Sequence, residues 1–340
     1  MTDTAMSTGP TLWRRLQSPR SMIIASIIMV VPMILYVMFG EPMHRLGIKD
    51  YVLLPAIPAS IFMYVVCMAR WRESWIAVLG GTLVFFWVIV AVTVPYLPLI
   101  DPNKPIRPFA PPGTTVGDFT FWLGTDLKGR DMLSRMLWGC QRVLVWGVVA
   151  TTVAYVVGAL FGLIAGYIGG FWDEVISFVS NVLLSFPVMV LFILILNYLG
   201  ASGFNIVIAV TFASAPAIMR IVRGLALDNK SRDYVYAAQT RGEHPFRIMV
   251  IELLPNVRGP IIVDACLRLG YTTVAITTLT FLGLGLQPPD PDWGLMIKES
   301  ANLLVWKFSY MLMIPALAVS SLILGFNLMA DGLREMSLRD

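Results

Sequence analysis

Val143-Leu-Val-Trp-Gly-Val-Val-Ala-Thr-Thr-Val-Ala-Tyr-Val-Val-Gly-Ala-Leu-Phe-Gly-Leu-Ile-Ala-Gly-Tyr167 contains no charged residue. A bilayer core about 30 Å thick is crossed by about 20 apolar residues rising about 1.5 Å each. This 25-residue stretch therefore reads as a membrane span. Gly158, Gly162 and Gly166 recur at every fourth position, on one helix face where another backbone can approach closely. Tight packing is one reading of that stripe and a moving hinge is the other.

Seven more stretches meet the same requirement: 21–39, 51–69, 76–98, 175–199, 204–222, 261–285 and 309–330. Pro55 and Pro58 stand near the start of the second. Prolines are tolerated in spans where neighbouring groups satisfy the freed carbonyls. Composition agrees with the count. Of 340 residues 57% are hydrophobic and 14% charged, with a mean hydropathy of +0.75. Soluble domains carry about 25% charged residues, so lipid is the expected solvent. Arg14, Arg15 and Arg20 precede the first stretch as they would a signal peptide. However, the run from Met22 to Phe39 is long for a signal core and ends in Gly-Glu-Pro, so a retained span is expected.

The net charge of +4 is too mild for a nucleic-acid footprint, and its basic residues read as topology signals. Arg14, Arg15 and Arg20, then Arg70 and Arg72, then Arg220, Arg223, Lys230, Arg232, Arg241, Arg247 and Arg258 fall on one side of an eight-span chain. That side is expected to be the cytoplasm, with both termini in it. The opposite loop, 101–142, also carries six basic residues, partly balanced by Asp101, Asp118, Asp126 and Asp131.

Several chemistries lack their residues. Cys67, Cys140 and Cys266 form no C-x-x-C pair, and His44 and His244 are too few for a histidine centre. There is no G-x-x-x-x-G-K-[ST] loop for nucleotide, no H-E-x-x-H and no G-x-S-x-G. No catalytic, cofactor or metal residues are expected. A self-sufficient secondary carrier would place ionisable groups and interrupted helices at mid-membrane, and the spans hold almost no central acids. Asp264 and Arg268 are four apart near one end of a span, on one face. They read as an internal or snorkelling pair, or as a functional charge. Asn181, Asn197 and Asn327 either line a polar pathway or tie helices together.

Three connections are more than turns. Residues 99–142 open on a proline-rich extended piece and lead into a short amphipathic helix near 129–139. Residues 286–308 start with Gln-Pro-Pro-Asp-Pro-Asp-Trp. Residues 223–260 contain Asp233-Tyr-Val-Tyr-Ala-Ala-Gln-Thr-Arg-Gly242 and, nine residues on, Glu252-Leu-Leu-Pro255-Asn256. The first part reads as a helix with Ser231 or Asp233 as N-cap and Ala237 and Ala238 as a small smooth face. Gly242 stops it, and Pro245 begins the next element. Such a helix–turn–helix either docks into a groove on a soluble partner or is an ordinary surface loop.

The spacing of Ala237, Ala238, Gly242, Leu254 and Pro255 resembles the "EAA" signature of ABC importer permeases, with Tyr236 at the family's leading acid and Glu252 at an apolar position. Leu123-Gly-Thr-Asp-Leu-Lys-Gly-Arg-Asp-Met-Leu-Ser-Arg-Met-Leu-Trp-Gly139 is similar to the G-T-D-x-x-G-R-D-x-x-S-R-x-x-x-G segment of the dipeptide, oligopeptide and nickel permeases. Thr280 to Gly294 and Phe326 to Arg334 are similar to that family's segments after its penultimate span and at its last-span exit. The resemblance covers residues 85–337 and is to the second permease of the pair.

It implies an all-α polytopic protein of the bacterial inner membrane: a six-span type I core at 76–335, preceded at 1–75 by a tail and two extra spans. The external loop would be 99–142 and the cytoplasmic coupling loop 223–260. It further implies a related second permease, two ABC ATPase subunits that bind the ATP and Mg, an extracytoplasmic solute-binding protein and lipid as partners. Asp233, Tyr236, Ala237, Ala238, Gly242, Glu243, Leu254 and Pro255 would contact the ATPases. Gly124, Thr125, Asp126, Gly129, Arg130 and Asp131 would cap the external mouth, dock the binding protein or simply build the loop. Di- or oligopeptides are the expected solute; nickel complexes, opines and oligosaccharides are also carried in this family.

Overall fold

The computed structural model describes Val31 and residues 54–72, 74–301 and 308–337. The first expected span, 21–39, lies outside the described residues apart from Val31. In chain order the helices are α1 (Ala56–Arg70), α2 (Trp75–Thr93), α3 (Met132–Leu163), α4 (Gly170–Leu184), α5 (Val188–Leu199), α6 (Gly203–Lys230), α7 (Asp233–Thr240), α8 (Arg258–Leu282), α9 (Trp293–Ser300) and α10 (Tyr310–Ser337). A two-stranded antiparallel hairpin, β1 (Thr114–Val116) and β2 (Phe119–Phe121), stands on the loop before α3. The chain is otherwise the expected all-helical, polytopic membrane fold.

Among the described residues five helices are long and apolar enough to cross a bilayer: Trp75–Tyr96, Met132–Ile168, Gly203–Lys230, Arg258–Leu282 and Tyr310–Met336. The bent pair α4 and α5 makes a sixth if counted as one span. Here the structure corrects the expectation of one straight span over 175–199, because the chain bends by 91° between them. The cause is local. A residue before proline is pushed out of the helical region, and Pro187 follows Phe186, with Pro187 itself at ψ 126°. Ser185 Oγ donates back to the Asn181 carbonyl at 2.8 Å, closing the end of α4.

Three boundaries also move. The expected short helix near 129–139 is the opening of α3, capped by Asp131, whose Oδ2 accepts the Ser134 N–H at 2.8 Å. The connection expected to start at 223 starts after Lys230, since α6 runs on through that segment. The second expected span, 51–69, is observed as the 15-residue α1, with Pro55 at its N-cap. At about 1.5 Å per residue it is shorter than a bilayer core. It lies against α2, with Met68 and Trp71 filling the space over Gly81.

The α3–α6 pair is the most extensive helix contact. A methyl on Gly158 would sit 2.8 Å from the Ala215 carbonyl oxygen, one on Gly162 2.7 Å from that of Met219, and one on Gly166 2.7 Å from that of Arg223. The glycine stripe is therefore tight packing. Helices α2, α3, α8, α9 and α10 share one core around Trp87, Met132, Cys140, Trp293 and Phe326. Many large apolar side chains stay outside, among them Phe86, Phe171, Phe178, Leu194, Leu317 and Leu324. Lipid or another apolar helix is the surface that such residues suit. Helices α3 and α6 run parallel, since Gly158, Gly162 and Gly166 meet Ala215, Met219 and Arg223 in turn, and the bundle has two distinct ends. One carries α7 and the other carries the 97–131 loop and α9.

Candidate functional site

At the first end, α7 is fastened to the bundle by one face. Val235 and Ala238 are fully buried in a cluster with Leu163, Tyr167, Val222, Ala226, Ile248, Met249 and Leu253. Gln239 Nε2 donates to the Tyr167 hydroxyl at 3.2 Å. The other face, with Asp233, Tyr236, Ala237 and Arg241, is exposed. This corrects the expected smooth face made by both alanines: neighbouring residues on a helix point about 100° apart, so Ala237 faces out while Ala238 faces in. The N-cap is Arg232, with no side-chain capping bond, rather than Ser231 or Asp233. Asp233 occupies the first turn, where a carboxylate meets the positive end of the helix dipole.

Gly242 ends α7 in the left-handed region at φ 71°. Its N–H donates to the Gln239 carbonyl at 2.9 Å, and the Glu243 N–H donates to that of Ala238 at 3.2 Å. These two bonds are a Schellman motif, which fixes the direction in which the chain leaves the helix. Pro245 then opens a turn, Pro245–Arg247, that widens into a π-helix, Ile248–Leu253, and closes as Leu254–Asn256. Leu254 packs on the same cluster, while Pro255 is exposed. Glu243 is held by Arg241 at 2.8 Å and Arg247 at 3.6 Å, and Arg241 also reaches Glu252 at 3.3 Å. The exposed rim therefore combines ion pairs with Tyr236, Phe246 and Ile251, all large and solvent-facing.

At the opposite end the six expected loop residues come together. Gly124 and Gly129 take the two tight turns, at φ 77° and 81°. Thr125 Oγ1 donates to the Arg107 carbonyl at 2.6 Å and accepts the Ala110 N–H at 2.8 Å, pinning the proline-rich strand to the turn. Asp126 Oδ1 accepts the N–H groups of Lys128 and Arg130, each at 2.9 Å. Arg130 Nε donates to Asp126 Oδ2 at 2.6 Å, and its Nη2 lies 2.5 Å from both Asp126 Oδ2 and Glu299 Oε2. Lys128 Nζ pairs with Glu299 Oε1 at 2.8 Å. The loop before α3 is thus clamped to α9.

Nothing local in the sequence announced Glu299, which is 169 residues from Arg130. Arg135, fully buried between this loop and the bundle, was likewise missed. Its Nη1 donates to the Pro102 carbonyl at 3.1 Å. The Asp-Trp that opens α9 was the one available signal, since Asp292 Oδ1 caps that helix by accepting the Leu295 N–H at 3.1 Å. Trp293 Nε1 donates to the Met136 carbonyl at 2.8 Å, locking α9 onto α3.

Burial pushes Asp292 up from 3.8 to about 6, against weaker opposing effects of the Leu295 and Gly294 N–H groups, Thr280 and the Arg135 charge. Glu299 is also pushed up by burial, but Lys128 and Arg130 together outweigh this and hold it below its ordinary 4.5. The two act on stability with opposite signs. Glu299 stabilises the fold above its ordinary value, and that contribution is lost as pH falls through the folded value. Asp292 favours the fold in its protonated form, so its contribution is complete below 3.8 and lost as pH rises to about 6. Between about pH 4 and 6 the thermal midpoint of detergent-solubilised protein should therefore fall relative to that of Asp292→Asn. Parallel pH profiles for the two proteins would contradict this.

Among the described residues no group of three His, Cys, Asp or Glu side chains is placed to hold a metal ion. Apolar spanning helices, a fastened surface helix at one end and a clamped loop at the other define a polytopic membrane protein. Residues 158–339 match the family described as binding-protein-dependent transport system inner membrane component. The glutathione transport system permease protein GsiD of Pectobacterium atrosepticum is 34% identical over 275 residues, 78% of this chain and 89% of that protein. The dipeptide transport system permease protein DppC of Haemophilus influenzae is 32% identical over 262 residues, 76% of this chain and 88% of that one. The di/tripeptide transport system permease protein DppC of Pseudomonas aeruginosa is 34% identical over 261 residues, 76% and 86% respectively. The chain belongs to the binding-protein-dependent inner membrane components, the ABC importer permeases.

Proposed function

We propose that this chain forms half of the translocation pathway of an ATP-driven importer of di- or oligopeptides. Its partners are a second related permease, two ATPase subunits that bind ATP and Mg, and an extracytoplasmic solute-binding protein. One observation carries the coupling role. Helix α7 buries Val235 and Ala238 on the ends of α3 and α6, is aimed by a Schellman turn, and presents Asp233, Tyr236, Ala237 and Arg241 outward. A rigidly seated helix transmits a push to the helices beneath it, whereas a floppy loop would absorb it.

Gly242 supplies the turn, Glu243 braces Arg241, and Leu254 and Pro255 close the segment. The peptide class is supported by the names of the relatives, whose stated solutes are glutathione, dipeptides and tripeptides. The loop carrying Gly124, Thr125, Asp126, Gly129, Arg130 and Asp131 is the external cap against which the binding protein docks. In this reading 76–335 is the permease domain, with its external loop at 99–142 and its coupling loop at 223–260. The tail and the two N-terminal apolar segments of 1–75 precede it, and both termini are cytoplasmic.

Uptake of radiolabelled di-alanine into proteoliposomes tests the proposal. The complete complex with ATP and binding protein should accumulate the peptide, and this chain alone should not. ATP-driven uptake by the single polypeptide would overturn the proposal. Orientation is tested separately. A reporter fused after Gly294 should behave as external and one after Asp340 as internal; the reverse pattern would invert the assignment of both ends.

A further inference from the structure

Two ion pairs among the described residues of the bundle helices, Asp173–Arg223 and Asp264–Arg268, differ in how they are closed. Asp173 of α4 and Arg223 of α6 meet as fork to fork, Nε to Oδ1 at 2.5 Å and Nη2 to Oδ2 at 2.6 Å. Both carboxylate oxygens are used, which makes that pair a strap. Asp264 and Arg268 of α8 are joined at one oxygen only. Arg268 Nε donates to Asp264 Oδ2 at 2.7 Å, and the Tyr155 hydroxyl of α3 donates to the same atom. Among the described residues no protein group meets hydrogen-bond geometry with Asp264 Oδ1 or with the Arg268 Nη atoms, and none of these atoms is sealed. The two side chains stay 23% and 16% exposed.

Asp264 and Arg268 are half-buried, Tyr271 one turn further along α8 is exposed, and on α3 Thr152 is exposed beside Tyr155, among exposed apolar neighbours such as Val156 and Ile262. Arg268 lies ten residues into α8, about 15 Å along a spanning helix. Charged groups at that depth do not face lipid; they face protein or an aqueous path. An unsatisfied carboxylate oxygen beside the open edge of a guanidinium is complementary to a dipolar ligand. The guanidinium fork takes a carboxylate in two parallel hydrogen bonds, and the free carboxylate oxygen takes an ammonium.

We propose that Asp264, Arg268 and Tyr155 form a solute station in the pathway, with Arg268 receiving the terminal carboxylate of a zwitterionic peptide and Asp264 its ammonium. Tyr155 is the positioning residue: it holds Asp264 Oδ2, so that Oδ1 is the oxygen left to the ligand. The station rests on the peptide-importer reading above and adds to it a recognition step in the membrane subunit itself.

The test uses the complex of both permeases and the ATPases in nanodiscs, without binding protein, so that selection by the binding protein does not enter. Retention of radiolabelled di-alanine is compared with that of its C-terminal amide. The parent complex should prefer the free carboxylate by about tenfold. Arg268→Lys keeps the charge that pairs with Asp264 but removes the fork, so the complex should assemble and the preference should fall to near one. An unchanged preference in Arg268→Lys would overturn the station, as would equal weakening of both ligands, the mark of a purely structural pair. If the parent complex retains neither ligand while the complete system still imports di-alanine, the station falls and the importer reading stands. If the complete system imports no di-alanine, the peptide reading falls and takes the station with it.

Discussion

Ala238→Trp is expected to prevent the α7 end of the bundle from folding, whereas Ala237→Trp leaves the protein folded and uncoupled. Ala238 is fully buried against Tyr167, Ile248 and Leu253, in the cluster that joins α7 to α3 and α6. An indole there has no space, and overpacking a sealed core site costs about 1–3 kcal/mol, or more for so large a side chain. The variant should be lost from the membrane or recovered only in aggregated form. Ala237 is exposed, so the same side chain there alters only what approaches α7 from outside. That variant should reach the membrane at parental levels, lose co-purification with the ATPase subunits and lose solute uptake by tenfold or more. Gly242→Val belongs with it. No atom crowds Gly242, so the penalty comes only from φ 71°, a conformation costing a branched residue about 1–2 kcal/mol. The turn would relax and α7 would swing away from its aim. Membrane level, ATPase co-purification and uptake, measured together, separate these outcomes. Full uptake by Ala237→Trp and Gly242→Val would make 231–256 an ordinary loop.

The second large effect is expected at the opposite end. Arg130 is nearly buried and ties Asp126 to Glu299 at 2.5 Å each. Removing one partner of a buried ion pair leaves uncompensated charge and costs about 3–5 kcal/mol. Arg130→Ala leaves Asp126 with its two backbone N–H groups and Glu299 with Lys128. The loss should therefore lie near the lower end of that range. It should appear as a lower thermal midpoint and as protease cleavage within 101–131, which the parent resists. Glu299→Gln, which keeps the shape and removes one charge, should show a smaller shift in the same direction. Equal protease resistance of Arg130→Ala and parent would show that the clamp does not hold the loop.

The spanning helices were legible because their signal is long-range and redundant: about 20 apolar residues outweigh local detail. What failed was local. Ser185-Phe186-Pro187 sits inside an apolar run, so hydropathy read 175–199 through a 91° break that the proline made visible only in hindsight. The helix at 233–240 and its stop at Gly242 were legible in the sequence, but the orientation of α7 was misread by treating Ala237 and Ala238 as a pair. Val235 and Ala238, three apart, share a helix face, and the apolar Val235 already marked that face as the buried one. Glu299 and Tyr155 had no sequence signal, because each gains its role from a partner more than a hundred residues away.

Disulfide- or linker-mediated capture at α7 tests the central claim most directly. The native Cys67, Cys140 and Cys266 are buried, so a single introduced thiol at the surface reports alone. In membranes holding the complete transporter, Ala237→Cys should be captured by an ATPase subunit through a short thiol-to-amine linker, with a yield that changes when ATP is added. Ala238→Cys should not be captured. Absence of an ATPase adduct at position 237 in a complex that still transports would contradict the account.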